Sequence, residues 1–137
     1  MKKALLVLIL SFLMPCLALA DGFSGKISPT NEERACKIRQ GDASFAIKGK
    51  TIAGSATYTG LCGGMQVSGK FGVEEGTRDG SMLSVTYAGT GTCAGAPCAM
   101  QLVLSGETGL DGTGFSGDAI LSFNGVVYPA GTIKQKR

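Results

Sequence analysis

The sequence predicts an all-β fold: about eight antiparallel strands in up-and-down order, a meander closing into a small barrel, with a β-sandwich as the alternative way to hide its apolar face. Three observations carry this prediction. Short runs alternate apolar and polar residues with period two, the pattern of half-buried strands, and no segment shows a helical period. Glycine is abundant, at 22 of 137 residues, alongside frequent Ser, Thr, Val and Ile. Turn signals between the runs pair them so that apolar residues fall opposite apolar residues.

The N-terminus is set apart from this pattern. Lys2 and Lys3 precede an apolar run from Ala4 to Met14, and Ala18-Leu19-Ala20 places small residues where a signal peptidase reads. Residues 1–20 are therefore expected to be a secretory signal peptide, leaving residues 21–137 as a single all-β domain in a periplasmic or extracellular location. The apolar run is short for a membrane anchor, and Pro15 ends it. Loss of residues 1–20 removes Lys2, Lys3 and Cys16. The remaining 117 residues carry 11 basic side chains against 10 acidic ones. That near-neutral balance argues against nucleic acid as a partner.

The first strand is expected at Phe23–Ile27. Next, Gly49-Lys50 forms a turn with glycine first, pairing Ile47 with Ile52 and Phe45 with Gly54. A bulge at Gly41-Asp42 then brings Cys36 opposite Cys62. A loop from Thr59 to Gly64 pairs Tyr58 with Met65 and Ile52 with Phe71. The clearest alternation follows, at Met65, Val67, Gly69, Phe71 and Val73. A longer loop, Glu74 to Gly80, brings Phe71 to Leu83 and Val67 to Tyr87. A four-residue loop, Ala94 to Pro97, sets Cys93 opposite Cys98 and Gly89 opposite Leu102. Asp111-Gly112 places Leu104 opposite Ala119, Leu102 opposite Leu121 and Met100 opposite Phe123. Asn124-Gly125, a strong two-residue hairpin signal, places Phe123 opposite Val126 and Leu121 opposite Tyr128. Glycines recur within the strands, with Gly54 expected to face Gly69 and Gly106 to face Gly117. Such positions let strands bend or backbones approach.

Four cysteines remain after the signal, an even number suited to an oxidising compartment. The register predicts disulfides Cys36–Cys62 and Cys93–Cys98, each across one hairpin. Wide spacing and the absence of histidine argue against zinc.

The same absence removes Ser-His-Asp and Cys-His mechanisms and the commonest general base. Glu74, Glu75 and Asp79 cluster in the long predicted loop, and Asp111 and Asp118 lie near the Asp-Gly turn. With no tryptophan and few aromatics to line a cleft, solvated surface acids are the simpler reading. The Glu74–Asp79 run lacks EF-hand spacing. The glycine-threonine runs Gly89–Thr92 and Gly112–Gly114 lack the lysine and helix of a phosphate loop. No cofactor is implied.

The face opposite the apolar one carries Lys37, Arg39, Lys48, Lys50 and Lys70, a basic surface suited to an acidic partner or anionic polymer. Lysine also blunts strand edges, and that alternative stays open. A polar outer face is the reverse of what a membrane-spanning barrel needs. Ser68-Gly69-Lys70-Phe71 partly matches, and Ser24-Gly25-Lys26-Ile27 more distantly matches, the Ser-Gly motif ending in arginine-tyrosine of small exported lysozyme inhibitors. The chain resembles that kind of protein in size, signal and disulfides; no site residue carries over. The reading that follows is an exported, non-enzymatic binding module, with inhibition of a hydrolase as one form that binding could take. A structural subunit of a surface fibre or matrix and a small hydrolase using the acidic loop are the alternatives.

Overall fold

The computed structural model describes residues 22–49, 51–109 and 114–136. The expected signal segment, the Lys50 turn position and the Asp111-Gly112 turn lie outside the described residues. Eight strands follow one another: β1 (Gly22–Ser28), β2 (Lys37–Lys48), β3 (Thr51–Cys62), β4 (Met65–Asp79), β5 (Met82–Cys93), β6 (Ala96–Thr108), β7 (Gly114–Phe123) and β8 (Val126–Lys136). Each pairs antiparallel with the next, and β1 returns to β8, so the sheet is a closed barrel and not a sandwich. The closing seam is short, with Ile27 opposite Ile133 and Ser28 opposite Thr132.

Inward residues form one apolar core, including Phe45, Val85, Leu102, Leu104 and Leu121. Outward positions carry Ser24, Lys26, Thr57, Lys70, Thr90 and Gln101. Small residues are required inside. Gly106 faces Gly117, and a Cβ on Gly117 would lie 2.9 Å from the Gly106 Cα. Only hydrogen at both positions lets these two backbones meet so closely.

Three buried polar side chains tie non-neighbouring strands together. Tyr58 on β3 donates to the Ala130 carbonyl at 2.9 Å, and Tyr87 on β5 donates to the Ser44 carbonyl at 2.9 Å. Gln135 on β8 donates through Nε2 to the Ala43 carbonyl at 2.7 Å. The acceptor for Tyr58 exists because β8 bulges: Ala119 faces Gly131 while Ile120 faces Pro129, so Ala130 between them has no ladder partner.

Several registers match the sequence reading. Phe45 faces Gly54, Ile47 faces Ile52, Leu102 faces Leu121, Met100 faces Phe123, and Leu121 faces Tyr128. Four details differ. The β2 bulge falls at Arg39, not Gly41-Asp42, because Gly41 is an inward position whose Cβ would meet the Ile38 Cδ1 at 2.8 Å. The β3–β4 connection is the two-residue turn Gly63-Gly64, both at positive φ, so Cys62 pairs with Met65, Tyr58 with Gly69 and Ala56 with Phe71. Gly69 therefore faces Tyr58 and Gly91, and not Gly54.

The expected Glu74–Gly80 loop is strand. A bulge at Glu74 and a tight turn begun by Gly80 at φ 62° let β4 run to Asp79, so Phe71 faces Gly89 and Val67 faces Cys93. At the next connection Ala94 and Gly95 both take positive φ and close a two-residue turn in place of four. Cys93 then faces Ala96, and Gly89 faces Met100. The slip is by two residues, which preserves the faces.

Both predicted disulfides form. Cys36–Cys62 joins laterally adjacent positions, with Cα atoms 4.3 Å apart. Cys93–Cys98 is a diagonal staple, not one between directly facing residues, at a Cα separation of 5.6 Å.

Two predictions follow from these constraints. Loop-closure entropy makes the Cys36–Cys62 bridge, across a separation of 26, the larger contributor. Chemical denaturation should show C36S/C62S losing about 3.5 kcal/mol and C93S/C98S about 2 kcal/mol. Burial pushes the Tyr58 phenol up to about 12 and raises Tyr87 as well, from an ordinary value of 10. Above that ordinary value the unfolded chain sheds phenolic protons that the native chain keeps, so stability is full below it and falls as pH rises through the native values. Phenolate absorbance of these two tyrosines should therefore appear together with loss of the β-sheet circular dichroism signal, not before it.

Candidate functional site

The alternating strand directions give the barrel two unlike ends. One carries the residue 29–36 segment, the turns Gly63-Gly64, Ala94-Gly95 and Asn124-Gly125, and both disulfides. The other carries the Gly49 and Gly80-Ser81 turns.

The predicted basic residues do not form one ridge. Lys37 and Arg39 lie exposed at the disulfide end of β2, Lys37 beside Leu61 and Arg39 at the bulge. Lys48 is exposed at the far end of the same strand, roughly 35 Å away at strand rise. Lys70 stands mid-barrel on β4, between Thr57 and Thr90. Lys50 lies outside the described residues. The acidic residues are similarly dispersed along strands: Glu74 at a bulge, Glu75 beside Thr86, Asp79 beside Met82 and Asp118 beside Ser105 and Thr132. All are exposed. Among the described residues, no group of three or more metal-ligating side chains comes together.

Two concavities are candidates for a site. One, of about 320 Å³, is a saddle on the outer wall of β1–β3, lined by Ser24, Lys26, Asp42, Ser44, Ser55 and Thr57 among others. It offers hydroxyls but no apolar anchor. The other, of about 370 Å³, lies at the rim of the disulfide end. Arg34 and Lys37 line it from before and at the start of β2, Leu61 from the end of β3, Gly63 and Gly64 from the turn, and Tyr128 from β8.

The Cys36–Cys62 bridge underlies this rim groove. Cys36 sits between the lining residues Ala35 and Lys37, and Cys62 between Leu61 and Gly63; both sulfurs belong to buried residues. Cys36 N–H donates to the Pro129 carbonyl at 2.8 Å, which fastens the same segment to β8 beside Tyr128. Tyr128 stacks on Phe123, with ring centroids 5.3 Å apart. Gly63 takes φ 61°, and a Cβ there would lie 2.8 Å from the Tyr128 hydroxyl oxygen. Glycine is thus needed twice, for its backbone and for the approach of the phenol.

Arg34 is the least expected member. The Ala35 N–H donates to the Glu32 carbonyl at 3.2 Å, closing a turn whose third residue is Arg34 at φ 66°. That position in such a turn favours glycine or asparagine, and a bulky side chain costs about 1–2 kcal/mol there. A long cation held at that cost, on the wall of a groove, points to a role for the guanidinium.

The groove is cationic and partly apolar. No acidic side chain lines it among the described residues, although Glu32 and Glu33 precede Arg34 in the same segment. Leu61 is 45% exposed. Val126 and Val127, also exposed, flank Tyr128 on its N-terminal side. Outward-facing Val127 and Pro129 on β8 continue to Ile120, directly opposite Pro129, and then to Val103. An apolar strip therefore descends the wall from the same end.

Of the basic residues singled out in the sequence, Lys37 lines this groove and Arg39 does not; Arg34, Leu61, Gly63 and Tyr128 were not among them. Tyr128 was expected inward, opposite Leu121, and lies there, only partly buried because the barrel ends two residue pairs beyond it. The Gly63-Gly64 pair was a usable signal: two adjacent glycines suit a two-residue turn, which carries β3 through Leu61 to Cys62 at the rim.

Replacing Gly63 with alanine tests this geometry. G63A should lose about 1–2 kcal/mol in denaturant unfolding and displace the Tyr128 ring resonances, whereas G64A, where a Cβ meets nothing, should move Tyr128 little. Comparison of the chain with family models, with characterised proteins and with solved structures returns no match.

Proposed function

We propose that this chain is an exported, non-enzymatic binding module that engages an acidic macromolecule, a protein such as a hydrolase, at the disulfide end of its barrel. One observation carries the reading: Arg34 and Lys37 share a rim groove with the exposed Leu61, over a buried disulfide that holds the surrounding elements in register. Preorganised surfaces of this kind bind at low entropic cost. Arg39 extends the positive potential beyond the groove, and the apolar strip from Val127 to Val103 extends the contact area.

Export is supported by the N-terminal pattern and by the two disulfides, which suit an oxidising compartment. A non-enzymatic role is supported by the absence of histidine and the dispersal of the carboxylates over exposed strand positions. The closed strand order leaves no lateral sheet edge for a fibre to extend.

The test is affinity capture from periplasm, culture medium and host fluids, using the oxidised protein purified after expression from its full sequence, beside K37E/R39E. A specific macromolecule should be retained by the parent and retained at least about tenfold less by the charge reversal, in keeping with the energies of charged contacts. Retention of nothing specific from any of these sources would remove the binding-module reading.

A further inference from the structure

We infer that the rim groove captures a carboxylate carried beside an apolar group, as on the free C-terminal residue of a polypeptide ending in a hydrophobic side chain. This rests on the binding-module reading and names what the groove itself would hold. The requirement comes from the mixture of its walls. The Arg34 guanidinium is a planar fork matched to a carboxylate, Lys37 adds a second positive charge, and the Tyr128 hydroxyl can donate a hydrogen bond. Leu61, nearly half exposed, lines the same groove, so a ligand that satisfies it must present both an anion and an apolar surface.

Size narrows the occupant. At about 370 Å³ the groove lies near the small end of ligand sites. It suits a chain end better than a folded surface, and terminal carboxylate capture is an established mode of peptide recognition. The strained backbone at Arg34 agrees with a functional demand on that side chain: the turn would be more comfortable with glycine, and glycine would remove the fork.

The probe is N-acetyl-leucine, compared with N-acetyl-leucinamide, which has the same apolar group and no charge. In a heteronuclear NMR titration of the oxidised protein, N-acetyl-leucine should saturably shift the backbone amides of Ala35, Gly63 and Gly64. The amide should bind about tenfold more weakly or worse, the loss expected for a charged hydrogen bond. Arg34→Gly relieves the turn, so it should keep or raise the melting temperature while binding N-acetyl-leucine about tenfold more weakly. A merely structural arginine would not separate those two readouts. Absence of saturable shifts in these amides, equal binding of the acid and the amide, or unchanged binding by R34G would each overturn the inference.

The larger reading fails separately. If the macromolecule captured by the parent is captured equally by R34G, the groove assignment is wrong and the binding module stands. If N-acetyl-leucine binds as expected but no macromolecule is retained, the groove assignment stands and the binding module does not.

Discussion

An eight-stranded barrel has an interior just wide enough for side chains, and that limit governs this molecule. Phe45, Tyr58, Phe71, Tyr87 and Phe115 cannot all point inward unless other inward positions carry almost nothing. Glycine and alanine fill those places: Ala43, Ala56, Gly69, Gly91, Gly106, Gly117 and Ala119 line the wall between the rings. The high glycine content is thus a volume requirement as much as a matter of turns. Where two glycines face each other across neighbouring strands, the sheet can curl sharply enough to return β8 to β1.

The short seam between those strands explains the cross-barrel hydrogen bonds. Few ladder pairs join β1 to β8, yet Tyr58 reaches from β3 to the Ala130 carbonyl, and Gln135 reaches from β8 to the Ala43 carbonyl of β2. Both contacts hold β8 to the opposite or adjoining wall independently of β1. Beyond Ser28 the sheet closes differently again, by the Cys36 N–H on the Pro129 carbonyl. The disulfide end is therefore fastened by a covalent bridge and a backbone contact where the seam itself has run out.

Much of the fold was legible because it depends on local rules. Period-two alternation showed the strands, and Asn124-Gly125 and Gly49 set their registers through turn chemistry that needs no distant information. Registers were misjudged where the turn could be drawn at more than one length. Ala94 was not read as a left-handed residue, so the Cys93–Cys98 hairpin was given two residues too many, and the slip stayed invisible because alternation survives a shift of two. Glu74 to Gly80 looked like a loop on composition, yet its polar residues extend β4 beyond the core, where alternation no longer reports burial. The groove was the least legible part. Arg34 and Tyr128 are ninety-four positions apart and meet only through closure of the barrel. Lys37 and Lys48 looked like neighbours in sequence, although an extended chain of that length spans the whole molecule.

The Cys36–Cys62 bridge has a consequence beyond stability. It lies directly beneath the groove, so the covalent state of two sulfurs sets the shape of the surface above them. Under reducing conditions the start of β2 and the end of β3 would be joined by ladder hydrogen bonds alone, at the strand ends where those bonds fray most easily. Covalent state and shape are then coupled: oxidation of these two cysteines completes the rim, and a chain folded without the bridge holds this end of the barrel by hydrogen bonds alone.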